Sequence, residues 1–431
     1  MSSADITPSR IPAARASLLA FALIVGLFFL WGVANNLNDI LIKQFKNAFT
    51  LSDFQAGLVQ SAFYLGYFLL AIPAGMCMRR FGFKSAILVG LILYALGALL
   101  FWPAAATQTY AIFLCGLFVI ASGLSFLETS ANPLVTVLGP PEGGARRLNF
   151  AQSFNPLGSI AGILIGREFI FNGVEHTPQQ LAAMTPAARH AYFVSQSLTV
   201  QTPYLVIACV VIAFALMIAL VRFPAHGEHV HEPASQHASG ARHFGHLLRN
   251  RHFLSAVAAQ FFYVGAQVGV WSYLIRYCQG TLPGTPERRA ADYLMASLVL
   301  FTLGRFAGTA LMRIIAPRKL LALFAAINVV LCALGVALPG HPGLYALVLA
   351  SFFMSVMYPT IFALGVDGFG DSERKLGASL LVMAIIGGAV LTATMGAVSD
   401  AAGIARAMLV PLGCFAAVFL FAMQRVEAQP A

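Results

Sequence analysis

The sequence predicts an all-α membrane protein with twelve transmembrane helices. Of its 431 residues, 59% are hydrophobic and only 10% are charged, and the mean hydropathy is +0.80, whereas soluble domains average about 25% charged residues. Apolar runs recur that are long enough to cross about 30 Å of hydrocarbon as helices. Such continuous runs favour helices over the short alternating strands of a barrel. The twelve predicted spans begin near residues 18, 54, 84, 108, 149, 202, 253, 290, 318, 342, 376 and 405.

The net charge of +10 is explained by the orientation of the chain in the membrane. If the N-terminus is cytoplasmic, the two tails and the even-numbered loops hold 17 of the 26 Lys and Arg residues. Cytoplasmic loops carry the excess of these residues, so both termini are predicted in the cytoplasm, N-in and C-in. We therefore expect no nucleic-acid partner. The first 17 residues lack an apolar region followed by a cleavage site, so no removable signal is predicted.

The chain divides into two halves of six predicted spans each. The predicted units are an N-terminal tail (1–17), a first bundle (18–221), a cytoplasmic linker (222–252), a second bundle (253–424) and a C-terminal tail (425–431). The linker is rich in histidine, and we interpret it as a solvated connection; the alternative is a metal or pH sensor. Its histidines lack the tight spacing of a metal site, and the six cysteines have no disulfide or zinc spacing, so we predict no metal and no cofactor.

Two carboxylates lie inside predicted spans. A charged side chain at the centre of a bilayer costs about 2.5–3.5 kcal/mol, so an acid there is a candidate proton carrier or substrate ligand. Glu128, in the fourth span, has apolar residues on both sides and is expected in the interior. Asp39 ends the first span, where it could lie at the water interface or in an internal cavity. Three Asn side chains close to it favour the cavity, because buried polar groups need partners.

Polar side chains recur at helical spacing in five predicted spans, where residues three or four apart share a face. Any one stripe is better explained by contact between helices, but five stripes from both halves indicate a central cavity. The predicted cavity residues are Trp31, Asn35 and Asp39 in the first span, Glu128 and Asn132 in the fourth, Gln152 and Asn155 in the fifth, Tyr263, Gln267 and Trp271 in the seventh, and Tyr358 in the tenth.

This set of side chains suits a neutral sugar. Amides can bind the hydroxyls of a sugar, and Trp or Tyr rings can pack on its apolar face. A cationic substrate would need several acids, and an anionic one several buried bases. The clear base within a span is Arg305, which Gly304 and Gly308 flank at the spacing of closely packed helices. We interpret Arg305 as a structural or gating charge, with substrate binding as the alternative.

Eight segments, in the same order along nearly the whole chain, resemble the fucose–proton symporter family of the major facilitator superfamily. They read FFLWGVANNLNDIL, SDFQAGLVQSAFYLGYF, LETSANPLVTVLGP, LNFAQSFNPLG, QFFYVGAQVGVWSYLIRY, LGRFAGT, MYPTIFALG and MGAVSDAAG. The loop after the second span also resembles the signature loop of the superfamily, but Arg79 stands where that signature has an acid. The resemblance implies the major facilitator fold, with two six-helix bundles around a central cavity.

The resemblance also implies roles for individual residues. In that family an Asp of the first span and a Glu of the fourth serve proton coupling and substrate binding, and they correspond here to Asp39 and Glu128. The cavity side chains of the family correspond to Asn36, Gln152, Asn155, Trp31, Trp271 and Tyr358. The implied activity is proton-coupled symport of L-fucose, or a closely related hexose, by alternating access about a midplane site.

We further expect a monomer in the inner (cytoplasmic) membrane whose partners are the sugar, the proton and the lipid bilayer. Alternatives with the same fold are a glucose, galactose or amino-sugar transporter. A membrane sensor that binds sugar without moving it is a more distant alternative. An enzyme is not expected, because the spans contain neither a His-Glu-x-x-His motif nor a Gly-x-Ser-x-Gly elbow.

Overall fold

The structure is a computed structural model that describes residues 19–34, 53–165, 169, 180, 183–221 and 237–424. Within these ranges the regular structure is entirely helical, as predicted. Nine continuous helical segments of the described chain are long and apolar enough to cross a membrane, some of them made of two consecutive helices, and a shorter apolar helix precedes them. The count of twelve spans and the N-in, C-in orientation remain predictions.

The first half of the described chain contains eight helices and one 3₁₀ turn, Pro141–Gly143. The helices are α1 (Leu19–Ala34), α2 (Asp53–Leu99), α3 (Phe101–Thr107), α4 (Tyr110–Val137), α5 (Gly144–Gln152), α6 (Phe154–Ile165), α7 (Pro186–Leu198) and α8 (Gln201–Leu220). Helix α2 covers both the second and the third predicted span. It is interrupted at Gly82, whose φ of 84° and ψ of 170° are readily adopted only by glycine.

The second half contains ten helices. They are α9 (His237–Arg249), α10 (Arg251–Thr281), α11 (Glu287–Leu311), α12 (Pro317–Ala337), α13 (His341–Met354), α14 (Met357–Val366), α15 (Asp371–Met383), α16 (Gly387–Ala402), α17 (Ile404–Ala407) and α18 (Leu409–Met423). Helix α10 begins two residues before the predicted seventh span. Asn250 caps it, since its side-chain oxygen accepts a hydrogen bond of 2.9 Å from the backbone N–H of Phe253.

Two spans that read as continuous in the sequence are broken in the structure next to a serine. Ser153 separates α5 from α6, and Ser355 follows the last residue of α13. The Ser153 hydroxyl donates to the Asn149 carbonyl at 2.8 Å, and the Ser355 hydroxyl donates to the Phe352 carbonyl at 2.7 Å. Serine bonds of this kind compete with the helical ladder and bend helices. The eleventh span is also broken, by a 3₁₀ turn between α15 and α16.

The same close helix crossing occurs once in each half. A Cβ atom at Gly158 of α6 would lie 1.9 Å from the carbonyl oxygen of Phe29 on α1, and one at Gly387 of α16 would lie 2.1 Å from that of Phe261 on α10. Only glycine allows backbones to approach so closely. The two crossings join the first span to the fifth and the seventh to the eleventh. This repetition six spans apart supports two related bundles.

The two halves contact each other on the predicted cytoplasmic side. Gly75 of α2 packs against Ser379 of α15, since an added Cβ there would lie 1.9 Å from the serine Oγ. Nearby, the Lys375 ammonium lies 4.9 Å from the centroid of the Phe83 ring and 2.6 Å from an Asp371 carboxylate oxygen. These contacts close the interface between the bundles at the level of the cytoplasmic loops.

The described part of the His-rich linker is the helix α9, which packs on α15. Its Leu247 is fully buried, and the Nδ1 atoms of His243 and His246 lie 3.5 Å and 2.9 Å from Glu373 Oε1. Among the residues that the structure describes, no group of three or more His, Cys, Asp or Glu side chains could hold a metal ion. Residues 222–236 of the linker and both tails lie outside the described residues.

Candidate functional site

Glu128 lies in the interior, as its apolar flanks predicted. The carboxyl is on α4 within a long buried stretch, and the residue is 1% exposed. The Tyr358 hydroxyl of α14 donates a hydrogen bond to Glu128 Oε1. Because Glu128 belongs to the first half and Tyr358 to the second, this hydrogen bond joins the two bundles.

Buried polar atoms without hydrogen-bond partners concentrate around this pair. Across the described residues ten buried side-chain atoms have no partner, and six of them belong to Trp31, Tyr67, Glu128, Asn132 and Gln260. We call these five residues and Tyr358 the polar cluster. Tyr67 lies next to both Trp31 and Glu128, and Asn132 lies next to Glu128. An unsatisfied buried polar group costs about 1–3 kcal/mol, so the concentration of such groups indicates a place for a polar ligand.

The predicted amides of the fourth and fifth spans meet beside the polar cluster. Gln152 Nε2 donates to Asn132 Oδ1 at 2.9 Å, and both residues are buried. This bond orients the Asn132 amide so that its own nitrogen remains without a partner among the described residues. The pair therefore presents donors of the kind that a sugar hydroxyl accepts from.

Asn155, one turn beyond Gln152, is engaged in contact between helices. The Asn155 Nδ2 donates to the Phe28 carbonyl at 3.3 Å, and the backbone carbonyl of Asn155 packs against Gly32 of α1. The half-buried side chain thus fastens α6 to α1. Its role as a sugar ligand stays a prediction.

The predicted aromatic residues of the second half have two different sets of neighbours: Tyr263 lies next to Tyr358, and Trp271 lies next to Phe301 and Ser351. The centroids of the Tyr263 and Tyr358 rings are 6.3 Å apart, and the Tyr263 hydroxyl donates to the Met354 carbonyl at 2.9 Å. Trp271 Nε1 donates to Ser351 Oγ at 3.1 Å. The polar atoms of Tyr263 and Trp271 are therefore bonded within the second half, and packing of their rings on a sugar stays a prediction. Gln267, one turn beyond Tyr263 on α10, is half-buried.

Arg305 connects the two helix breaks. Its Nη1 donates to the carbonyl of Gln152, the last residue of α5, at 3.0 Å, and its Nε donates to the carbonyl of Ser355 at 2.7 Å. The guanidinium also lies 4.6 Å from the centroid of the Phe301 ring. A buried cation at the carbonyl ends of two helices is favourable electrostatically. Arg305 thus connects the two halves through these hydrogen bonds, and its role as a structural or gating charge stays a prediction.

Three predicted site residues, Asn35, Asn36 and Asp39, lie outside the described residues. Two other residues of the polar cluster were not predicted. Gln260 precedes Tyr263 by three positions on α10, so extending that stripe by one turn would have found it. Tyr67 lies in a run of apolar and aromatic residues without polar spacing, and the sequence contains no signal for it.

Comparisons with known proteins agree with this architecture. The family model of the Major Facilitator Superfamily matches residues 16–385. The L-fucose-proton symporter of Escherichia coli (strain K12) is 51% identical over 415 residues, 96% of this chain and 94% of that protein. The glucose/galactose transporter of Brucella abortus biovar 1 (strain 9-941) is 37% identical over 398 residues, 92% of each chain.

The fold is also that of a solved relative. The crystal structure of the E. coli fucose:proton symporter matches with a TM-score of 0.87 at 50% identity, over 94% of this chain and 98% of that one. With the repeated apolar helices, these likenesses establish a multi-pass membrane protein. The chain belongs to the major facilitator superfamily and, within it, to the family of the fucose–proton symporters.

Proposed function

We propose that this protein imports L-fucose, or a closely related hexose, together with protons by alternating access. The observation that carries the proposal is the Glu128–Tyr358 hydrogen bond between the two bundles, surrounded by buried polar atoms that have no partner in the described part of the chain. The E. coli relative is named as an L-fucose-proton symporter, which supports this sugar and this coupling ion.

The protonation state of Glu128 controls its bond to Tyr358. An ionised carboxylate accepts a charge-assisted hydrogen bond, which is roughly twice as strong as a neutral one. Protonation weakens this connection between the bundles and gives Glu128 an O–H group that can donate to a sugar hydroxyl. A single proton thus loosens the bundle interface and prepares the site for sugar.

The sugar is held between polar and aromatic surfaces. The Asn132 and Gln152 amides lie on one side of the bundle interface, and the rings of Tyr263, Trp271 and Tyr358 lie on the other. Polar groups satisfy the hydroxyls, while aromatic rings pack on the apolar face of the sugar.

Asp39 exchanges protons with the periplasm in this scheme. It follows α1 at the predicted periplasmic end of the first span, and acids within membrane spans commonly form proton relays. Coupling then requires that the sugar-loaded carrier change access readily when its acids are protonated and poorly when they are ionised. The carrier works as a monomer in the cytoplasmic membrane, with the proton as its coupling ion and no other cofactor.

Uptake by purified protein in liposomes tests the proposal. With an inward proton gradient, radiolabelled L-fucose should accumulate above its external concentration, and a protonophore should abolish this accumulation. Sugar binding without uptake would instead indicate a sensor.

A second candidate function is transport of glucose or galactose, which the Brucella abortus relative favours because its name specifies these sugars. Competition by unlabelled hexoses decides between the two. If glucose or galactose displaces the label at lower concentration than L-fucose does, the second candidate replaces the first.

A further inference from the structure

Gln260 is a fully buried amide whose carbonyl oxygen has no hydrogen-bond donor among the described residues, while its amide group lies against Tyr358. It lies on α10 at 0% exposure. Since an unsatisfied buried group costs about 1–3 kcal/mol, this carbonyl oxygen is unfavourable in the interior unless a ligand donates to it.

The surroundings of Gln260 place it at the centre of the bundle interface. Its side chain lies next to the Tyr358 hydroxyl, and Tyr263 is one turn further along α10. The hydrogen of that hydroxyl is donated to Glu128. Tyr358 therefore cannot donate to the Gln260 carbonyl oxygen while it is bonded to Glu128, and no other described residue donates to that oxygen.

We propose that Gln260 is the hydrogen-bonding residue through which the second bundle binds the sugar, an inference that rests on the function proposed above. A terminal amide offers one acceptor and two donors, so it can accept from one sugar hydroxyl and donate to its neighbour. The polar atoms of Tyr263 and Trp271 are already bonded to Met354 and Ser351 within the second half. Gln260 supplies the hydrogen bonds that those residues do not.

This assignment makes the sugar a bridge between the bundles. Asn132 and Glu128 bind it from the first half and Gln260 from the second, so a sugar that contacts both favours their closure around it. A hexose with the wrong orientation at the hydroxyl facing Gln260 leaves this buried amide unsatisfied. A site built to bind a hydroxyl strongly rejects analogues that lack it. Gln260 is therefore a specificity-determining residue.

The test measures which sugar hydroxyl Gln260 recognises. The full-length protein in detergent is titrated calorimetrically with the hexose that the wild type binds and with the monodeoxy analogues of that hexose. Gln260→Met keeps the length of the side chain and removes its hydrogen bonds. We expect the variant to bind the parent sugar about fivefold to thirtyfold more weakly, the effect of one to two net hydrogen bonds of about 1 kcal/mol each. Removal of one particular hydroxyl, which weakens wild-type binding by a similar factor, should leave binding by the variant almost unchanged.

The matched control is Gln201→Met on α8. This amide donates to the Trp102 carbonyl at 3.0 Å at an exposed site away from the polar cluster. The control should keep the affinities of the wild type for every sugar.

Three results would overturn the assignment. The first is unchanged affinity of Gln260→Met for the parent sugar. The second is that Gln260→Met binds the parent sugar and every deoxy analogue more weakly by the same factor, which is the result expected if the amide has only a structural role. If Gln260→Met does not fold, Gln260→Asn, which withdraws the amide by one methylene, is judged by the same criterion. The third is a wild type that binds no hexose, which overturns the proposed function as well; the first two overturn the role of Gln260 alone.

Discussion

In the proposed mechanism, the hydrogen bond from Tyr358 to Glu128 couples protonation to bundle movement. It links α14 of the second half to α4 of the first, and both residues are buried. A hydrogen bond to a charged group contributes about 1.5–3 kcal/mol, whereas one between neutral groups contributes about 1 kcal/mol. The protonation state of one side chain can thus change how firmly the bundles hold together.

Replacing Tyr358 with Phe tests this role. Tyr358→Phe keeps the ring that packs on a sugar and removes the hydroxyl that distinguishes ionised from protonated Glu128. We expect the accumulation ratio of the sugar to fall about tenfold or more, in line with the loss of a charge-assisted bond, while downhill uptake persists. Both quantities are measured in proteoliposomes.

The control for this change is Tyr273→Phe. The Tyr273 hydroxyl donates to the Thr392 carbonyl at 3.2 Å, so its hydrogen bond stays within the second half. The Tyr273→Phe variant should accumulate sugar to the same ratio as the wild type. Full accumulation by Tyr358→Phe would show that the hydroxyl has no part in coupling.

Asp39→Asn should abolish proton-driven accumulation and leave exchange of internal for external sugar. The amide has the size of the carboxyl but carries no titratable proton, so sugar can still cross without being driven. Accumulation and counterflow in the same liposome preparation measure the two properties separately. Asp292→Asn, an exposed acid on α11, serves as the control. Accumulation against a gradient by Asp39→Asn would remove Asp39 from the proton pathway.

At the residue scale, the sequence predicted the interior position of a polar residue wherever that residue differed from the apolar residues of its own helix. Glu128 was assigned to the interior because apolar residues flank it on both sides, and Gln152 because it repeats with Asn155 along one face. The bond to Tyr358 was not predictable, because it joins residues 230 positions apart. The Tyr67 hydroxyl was missed because tyrosine is common in apolar spans and its neighbours Trp31 and Glu128 lie on other helices.

At the scale of the helices, Arg305 connects the two helix breaks through hydrogen bonds. The breaks at Ser153 and Ser355 leave helix-end carbonyls inside the protein, and Arg305 donates to one at each break. The sequence predicted continuous spans here, since serine does not interrupt an apolar pattern. In the structure a new helix begins after each break, and Pro156 and Pro359 are compatible with the first turn of that helix. The Gly304 and Gly308 spacing did predict close packing of α11, and an added Cβ at Gly304 would lie 2.3 Å from the Phe352 carbonyl oxygen.

Arg305→Met should open the predicted cytoplasmic side. The bond from Arg305 to Gln152 spans the two halves, so its loss removes about 1.5–3 kcal/mol that favours the closed arrangement. This shifts the equilibrium between the two arrangements about tenfold or more. Ser379→Cys, in a background without other cysteines, reports the change, because position 379 is buried between α2 and α15. Its labelling by a thiol reagent from the cytoplasmic side should accelerate correspondingly.

Arg276→Met provides the comparison. Arg276 is an exposed base that lies over the Tyr273 ring within the second half, so its removal should leave the labelling rate of Ser379→Cys unchanged. An equal rate in Arg305→Met and in the parent protein would contradict the assignment of Arg305 as a connection between the bundles.

At the scale of the whole molecule, two related bundles meet at a central polar cluster and are closed on one side. The six-plus-six division followed from the six predicted spans on each side of the linker, and the crossings at Gly158 and Gly387 supply a structural counterpart. Which side of the bundle interface is closed could not follow from the sequence. The chain must adopt both arrangements to transport, so its pattern of residues is compatible with each.

A crosslink between the bundles should arrest transport reversibly. A Cβ atom at Gly75 would lie 3.2 Å from the Cβ of Ser379, so the pair Gly75→Cys and Ser379→Cys needs only a small separation to reach the 3.5–4.5 Å typical of a disulfide. Oxidation should stop uptake while sugar still binds, and reduction should restore uptake. Continued uptake by fully crosslinked protein would exclude rocking of the bundles as the transport motion.

The central claim is that sugar and proton cross together, and sugar-induced proton movement tests it most directly. L-fucose is added outside lightly buffered proteoliposomes without an imposed proton gradient, and the external pH is recorded for the wild type, for Glu128→Gln and for a panel of other hexoses. The account predicts external alkalinisation by L-fucose with the wild type, none with Glu128→Gln, and smaller responses to hexoses that bind more weakly. Entry of radiolabelled L-fucose without any change in external pH would contradict it.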